Sequence, residues 1–229
     1  MSETRTVLVT GASRGIGRAL VQELTSRGLQ VFASSRDVGL LQELQRETGC
    51  GFSSRDLARA DEVLQLYREA QEHFQGGPEV LVNNAGYNEK APLVDVSLEE
   101  FDRQFAVNLR APFLLCREAG RDMQARGRGH ILNVVSSAAL FANEGMGAYS
   151  AMKGGLAHLS KILTKELRAS GVKVTAIYPG GTDTEFRANA RPDYLRPESA
   201  ARLIADVLFA PEDAVIHELV FRPMVETNF

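Results

Sequence analysis

The sequence predicts a single α/β domain built on a doubly wound, parallel sheet of seven strands with helices on both faces. Two observations predict it. Short, nearly continuous apolar runs alternate with helix-length segments along all 229 residues. Runs of that kind suit strands covered on both sides, which is where the crossover helices of a parallel sheet place them. The second observation is an absence: there is no low-complexity linker, internal repeat or composition shift to mark a boundary. Residues 1–229 therefore read as one domain, a length that open sheets often reach. A domain this large buries most of the surface its unfolded chain exposes and needs no disulfide or metal for stability.

The elements follow in order. Strands are expected at 6–9, 30–33, 51–54 (the weakest), 80–83, 130–135, 173–178 and 215–221. Helices are expected at 15–27, 38–47, 60–74, 98–126, 149–169 and 197–209. Gly28, Gly49 and Gly171 stand just past three of these helices, where a left-handed residue is wanted. Pro197 suits the first turn of the last helix, since the N–H it lacks would go unpaired there anyway.

Composition excludes several classes. With 44% hydrophobic and 24% charged residues the chain is ordinary for a globular protein. A net charge of −3, with both signs scattered, argues against a nucleic-acid or anionic-membrane surface. No apolar run approaches transmembrane length, and the apolar residues 7–9 behind a polar start are too short for a secretory signal. Cys50 and Cys116 are isolated and read as buried small hydrophobes in a reducing compartment. His73, His130, His158 and His217 show no metal-ligand spacing, so no metal is expected. A cytoplasmic location follows as the expectation.

Two motifs carry chemistry. The first is Gly11-x-x-x-Gly15-x-Gly17, directly after the first apolar run and at the start of the first helix. Glycines let the backbone approach a pyrophosphate closely, and a helix N-terminus offers N–H groups and partial positive charge. Gly11, Ser13, Arg14, Gly15, Ile16 and Gly17 are therefore candidate cofactor contacts. The second motif is Tyr149-x-x-x-Lys153, which places a phenol and an ammonium on one helix face. A free phenol with a pKa of about 10 is a poor acid–base group near neutrality. An adjacent ammonium favours the phenolate and brings it nearer the working pH. Ser136, thirteen residues earlier and at the end of the fifth strand, is placed to donate to a substrate oxygen. Ser137 competes for that role, but the spacing and the run Asn133-Val134-Val135-Ser136 favour Ser136.

These motifs resemble those of the short-chain dehydrogenase/reductase family, whose glycine signature is T-G-x-x-x-G-x-G and whose fold is Rossmann-like. The resemblance spans nearly the whole chain. It implies that Asp56-Leu57 contacts adenine and that Asn83-Asn84-Ala85-Gly86 is the family's N-N-A-G, with Asn83, Ala85 and Gly86 at the cofactor. It places Asn108 with Ser136, Tyr149 and Lys153 in a catalytic tetrad, in which Asn108 holds a carbonyl and a water on a proton path from Lys153. Lys153 would also hold the nicotinamide ribose. Pro179, Gly180, Thr182 and Thr184 belong to its P-G-x-x-x-T, which holds the nicotinamide amide.

The cofactor expected is NADPH, with NADH not excluded. The family's NAD-specific acid falls at Ser35, followed by Arg36. A hydroxyl and a guanidinium suit a 2′-phosphate, and Arg14 is a second cation within reach. Asp37 is a rival partner for Arg36.

Residues 185–196 form a short substrate lid carrying Arg187 and Arg191 before Arg196, charges that either greet an acidic substrate or are simply solvated. Tyr87, Leu140, Phe141, Glu144 and Phe186 are expected to border the pocket. The end of the chain departs from the family's V-D-G-G pattern, which bears on a tetramer contact made there. Small residues along the Tyr149 helix (Ser150, Ala151, Gly154, Gly155, Ala157) suit pairing across a two-fold, so a homodimer is expected before a tetramer.

The function expected is NADPH-dependent hydride transfer between nicotinamide and a small-molecule ketone or aldehyde, or the reverse from a secondary alcohol. The family uses the pro-S hydride, with Tyr149 as general acid/base. Alternatives are a ketoreductase acting on carrier-bound 3-oxoacyl chains and a non-catalytic NADP(H) sensor. No nucleic-acid or membrane partner is expected.

Overall fold

A computed structural model describes residues 5–186 and 189–227. Arg187 of the expected lid lies outside the described residues, as do the first four residues of the polar start. Seven strands, β1 (Thr6–Thr10), β2 (Gln30–Ser35), β3 (Gly51–Ser54), β4 (Val80–Asn83), β5 (Gly129–Val134), β6 (Val172–Pro179) and β7 (Glu218–Phe221), form one sheet in the order β3-β2-β1-β4-β5-β6-β7. Every neighbouring pair is parallel.

Alternation within the apolar runs explains the two layers. In β1, Val7 and Val9 enter one core while Leu8 enters the other, as the pleat requires. The first core is closed by α1 (Gly15–Ser26), α2 (Val38–Thr48) and α7 (Pro197–Asp206), which contribute Leu20, Leu24, Leu41, Leu44 and Ile204. The second is closed by α3 (Ala60–Phe74) and α5 (Ala111–Arg126), through Val63, Leu66, Leu115 and Met123. On the second core's side of the sheet lies α6 (Gly147–Leu167), whose Leu167 joins that core and whose Leu156 packs with Val135 and Tyr178. Gly28, Gly49 and Gly171 adopt φ of +83°, +73° and +70°, the left-handed conformation that ends a helix at low cost. Pro197 opens α7 as expected.

Two elements differ from expectation. The helix predicted at 98–126 is two helices, α4 (Leu98–Phe105) and α5, joined by a π-helical turn at Ala106–Arg110. The Ala111 N–H bonds to the Ala106 carbonyl, five residues back. Pro112 supplies no N–H for the Asn108 carbonyl, and the Asn108 amide donates to the Gln104 carbonyl at 3.0 Å, so the regular ladder is interrupted twice. The last strand is shorter than the predicted 215–221. Ahead of β7, side chains take the carbonyls a ladder would use: Lys173 Nζ donates to Ala214 O at 2.8 Å and Thr175 Oγ1 to Ile216 O at 2.6 Å.

The chain moves outward from β1 to β2 and β3, then returns to lay β4 on the other side of β1. Loops leaving β1 and β4 diverge at that reversal and open a crevice at the carboxyl ends of the strands. Among the described residues no helix is long and apolar enough to cross a membrane, and no cluster of side chains could hold a metal.

Candidate active site

A cleft of about 920 Å³ occupies that crevice, a size suited to a small molecule or cofactor. One end is bordered by Arg14, Ser35, Arg36, Asp37, Arg55, Asp56 and Leu57, the middle by Gly11, Ser13, Gly15, Ile16, Ala85 and Gly86. The far end holds Ser136, Tyr149, Lys153, Pro179, Gly180, Thr182 and Thr184. Most of the residues singled out from the sequence thus line one cavity.

The glycine turn is held from behind. Thr10 Oγ1 accepts the N–H groups of Asn84 and Ala85, each at 3.1 Å, and the Asn84 amide donates to Thr10 O at 2.9 Å and to Gly11 O at 3.2 Å. Gly11 has φ +68°, and a Cβ there would lie 2.7 Å from Ala85 Cα. Arg14, at the N-cap of α1, makes no side-chain cap, so the first-turn N–H groups face the cleft without one. That is the arrangement an anionic group needs.

Three predicted residues sit beneath the wall rather than on it. Gly17 is a packing glycine: a Cβ there would stand 2.1 Å from Gly11 O. The Asn83 amide is spent inside the protein, donating to Asn133 Oδ1 at 2.8 Å and to Cys116 Sγ at 3.3 Å. Burial pushes the Cys116 thiol up to about 12, so it stays protonated. Asn108, on the π turn and fully buried, brackets Tyr87: its amide donates to Tyr87 O at 2.7 Å and its Oδ1 accepts Tyr87 N–H at 3.0 Å. A Cβ at Gly86 would lie 3.4 Å from Asn108 Oδ1 and 3.8 Å from Lys153 Nζ, so these two polar groups converge on one glycine.

Lys153 is 2% exposed. Its Nζ donates to Val134 O at 2.8 Å and lies 5.7 Å from the centroid of the Tyr149 ring. Burial lowers its pKa from 10.5 to about 7, because the ammonium has lost its water. The Tyr149 ring is buried and lies 5.9 Å from that of Phe186. Ser136 is in extended backbone, and its Oγ accepts the Ala138 N–H at 3.1 Å. Its own hydroxyl hydrogen is then left to point elsewhere.

At the opposite end the charges are exposed. Asp37 pairs with Arg14 at 3.2 Å rather than with Arg36, and Arg36 has no ion pair among the described residues. The Asp37 N–H bonds to Ser35 Oγ at 3.1 Å, and Asp37 Oδ1 caps α2 by accepting Leu40 N–H. Arg55, not singled out from the sequence, also borders this end and pairs with Glu69.

Of the expected pocket residues, Tyr87 and Phe186 border the cleft, while Leu140, Phe141 and Glu144 do not. Phe141 instead packs under the Arg222 guanidinium, 4.6 Å from it, and Leu140 is exposed. Met146 and Arg103 take their place on the lining. Nothing in their spacing marked them: Met146 precedes α6, and Arg103 lies over the Tyr87 ring at 4.4 Å. Arg191 of the lid is tied to Asp193 at 2.9 Å and lies over Tyr194. It is outside the cleft lining.

Comparison with known proteins agrees with this architecture. Residues 5–195 match the short chain dehydrogenase family. An uncharacterized short-chain type dehydrogenase/reductase of Sinorhizobium fredii is 33% identical over 97% of this chain and 93% of its own. The alcohol dehydrogenase of the archaeon Thermococcus sibiricus, solved with 5-hydroxy-NADP, superposes with a TM-score of 0.90 at 26% identity, covering 99% of this chain and 100% of its own. A metagenomic short-chain oxidoreductase in complex with NADP gives 0.85 at 33% identity, over 97% and 98% of the two chains. The chain therefore belongs to the short-chain dehydrogenase family and is an oxidoreductase.

Proposed function

We propose that this protein reduces ketones or aldehydes to alcohols, and runs the reverse reaction, with NADPH as its favoured cofactor. The observation that carries the reading is the far end of the cleft, where a buried lysine lies beneath the Tyr149 ring and Ser136 borders the same space. Gly11, Ser13, Gly15 and Ile16, with the uncapped start of α1, fit a pyrophosphate. Asp56 and Leu57 would border the adenine, and Pro179, Gly180, Thr182 and Thr184 the nicotinamide amide. When bound, the reduced cofactor supplies a hydride to the carbonyl carbon.

The protein supplies the rest. Tyr149 gives its phenolic proton to the carbonyl oxygen, and the Lys153 ammonium stabilises the phenolate left behind. Ser136 donates its remaining hydrogen to the same oxygen and offsets the charge developing there. Asn108 acts through Tyr87, holding both backbone groups of the residue next to Gly86. Tyr149 then regains a proton from solvent.

NADPH is favoured because Arg36 borders the ribose end without an ion pair among the described residues, beside the Ser35 hydroxyl. Two structural neighbours solved with NADP or a derivative of it support the same choice. In this reading the protein acts in the cytoplasm as a homodimer. Exposed Ala151 and the open space at Gly154 on α6 support pairing there, although Gly155 is filled by Leu109. A monomeric mass in solution would overturn the dimer.

The test of the reaction is the loss of reduced-nicotinamide absorbance across a panel of ketones and aldehydes with each cofactor. Turnover of at least one carbonyl compound is expected. Binding of NADPH with no turnover anywhere on the panel would make the protein a sensor.

A further inference from the structure

We propose that Arg222 and Glu226 are positioning residues that strap together the two loops facing each other across the reacting end of the cleft. The proposal rests on the reading above that this end, with Ser136 and Tyr149, is where the chemistry occurs. One loop follows β5 and carries Ser136, Phe141 and Met146; the other follows β6 and carries Gly180, Thr182 and Thr184.

A single ion pair touches both. Glu226 Oε1 accepts the Gly181 N–H at 2.9 Å, and Oε2 accepts Arg222 Nε at 2.8 Å. The guanidinium of Arg222 in turn lies 4.6 Å from the Phe141 ring centroid. The pair is largely shielded, with 11% and 17% of the two side chains exposed, so its attraction is little screened by solvent.

The glycines of the second loop are shaped to receive this tail. A Cβ at Gly180 would lie 2.7 Å from Glu226 Oε2 and 2.9 Å from Arg222 Cα. At Gly181 it would lie 2.8 Å from Glu226 Oε1 and 2.2 Å from Tyr194 Cε2. Any side chain at either position would therefore displace the strap. The lid is tied to the same turn: Leu195 N–H bonds to Gly181 O at 3.1 Å and Asp183 N–H to Leu195 O at 2.8 Å. Releasing Glu226 leaves the Gly181 N–H without its acceptor and loosens the turn that precedes Thr184 and Phe186, and Phe186 is the ring beside Tyr149. The sheet has no need of the strap, because β7 is held by its own ladder to β6.

The experiment compares Glu226→Ala, Glu226→Gln and Arg222→Lys in the full chain. It reads steady-state kinetics on the best carbonyl compound, NADPH affinity by fluorescence titration, and amide hydrogen exchange. For Glu226→Ala we expect kcat to fall about tenfold, as loss of near-attack geometry does. NADPH affinity should stay within about twofold, with faster exchange in both 137–146 and 180–186. Gln keeps an oxygen for the Gly181 N–H, so Glu226→Gln should keep 180–186 protected and retain more of kcat. Arg222→Lys keeps the charge but loses the plane over Phe141, so it should loosen 137–146 alone. Unchanged kcat in Glu226→Ala, faster exchange confined to 222–227, or Glu226→Gln behaving like Glu226→Ala would each overturn the strap. If the wild type turns over no carbonyl compound, the reading of the reaction fails, and the exchange pattern alone decides the strap.

Discussion

The two ends of the cleft are both cationic, but the cations are held in opposite ways. At one end Arg14 is 58% exposed at its side chain and meets a carboxylate that is itself 42% exposed. At the other, Lys153 is 2% exposed and rests on a backbone carbonyl. An exposed guanidinium keeps its water, so it costs the fold little and stays available to an incoming anion. A buried ammonium has lost its water; its proton becomes negotiable, and the fold bears the cost. Recognition can rest on the first kind of charge, whereas moving a proton needs the second.

The contrast is broken most sharply at Tyr149. Tyr149→Phe removes the only proposed proton donor and leaves the ring contact with Phe186. Turnover should fall by about 10²–10⁴-fold, the usual worth of a positioned acid. NADPH affinity and melting temperature should barely move, and near-normal turnover would end the assignment.

Lys153→Met comes next, and its signature is a pH dependence of stability. The folded pKa of about 7 lies below the ordinary 10.5. Below pH 7 both states carry the ammonium, and the fold bears its full desolvation cost. Between pH 7 and 10.5 the unfolded chain binds more protons, so wild-type stability rises with pH. The Met variant bears no such cost, though it leaves the Val134 carbonyl short of a partner worth about 1 kcal/mol. It should therefore melt above the wild type at pH 6, by an amount on the order of a few kcal/mol, with the gap closing towards pH 10. A gap that stays flat across this range would refute the burial account. Turnover should fall along with the gain in stability.

The same contrast governs what was legible before folding. The exposed end and the fold lie close to the chain. Val7-Leu8-Val9 reads as a doubly buried strand, and Gly28, Gly49 and Gly171 mark helix ends by local backbone chemistry alone. Tyr149 and Lys153 were legible because one helical turn joins them. The environment that makes Lys153 unusual was not, since its partner carbonyl belongs to β5 and appears only when β5 and α6 pack. The amide contact between Asn83 and Asn133 likewise depends on the register of β4 with β5. Pro112 was visible, but its effect required knowing that the Asn108 side chain also turns back on its own helix. The tail that reaches Gly181 is 45 residues away along the chain and has no periodicity to announce it.

Moving to the exposed end, Arg36→Asp should reverse cofactor choice. A carboxylate there repels a 2′-phosphate and accepts a ribose hydroxyl. The Michaelis constant for NADPH should rise about tenfold relative to that for NADH, equivalent to about 1.4 kcal/mol. Equal changes for both cofactors would remove Arg36 from the site.

The smallest effect is expected at Asp37, where two roles can be separated by one substitution. Asp37 caps α2 through Leu40 N–H and also occupies Arg14. Asn is as good a cap as Asp, so Asp37→Asn should keep the helix while releasing the guanidinium. Freed from its carboxylate, Arg14 can turn wholly to an anionic ligand at the same end of the cleft. NADPH affinity should rise about two- to threefold with NADH affinity unchanged, since an exposed pair is worth only about 0–1 kcal/mol. Screening then decides the cause. If charge is responsible, the gain over wild type shrinks as added salt shortens the range of the attraction. A gain that survives high salt, or that appears equally for NADH, would mean that Asp37 shapes the ribose pocket by packing instead of by holding Arg14.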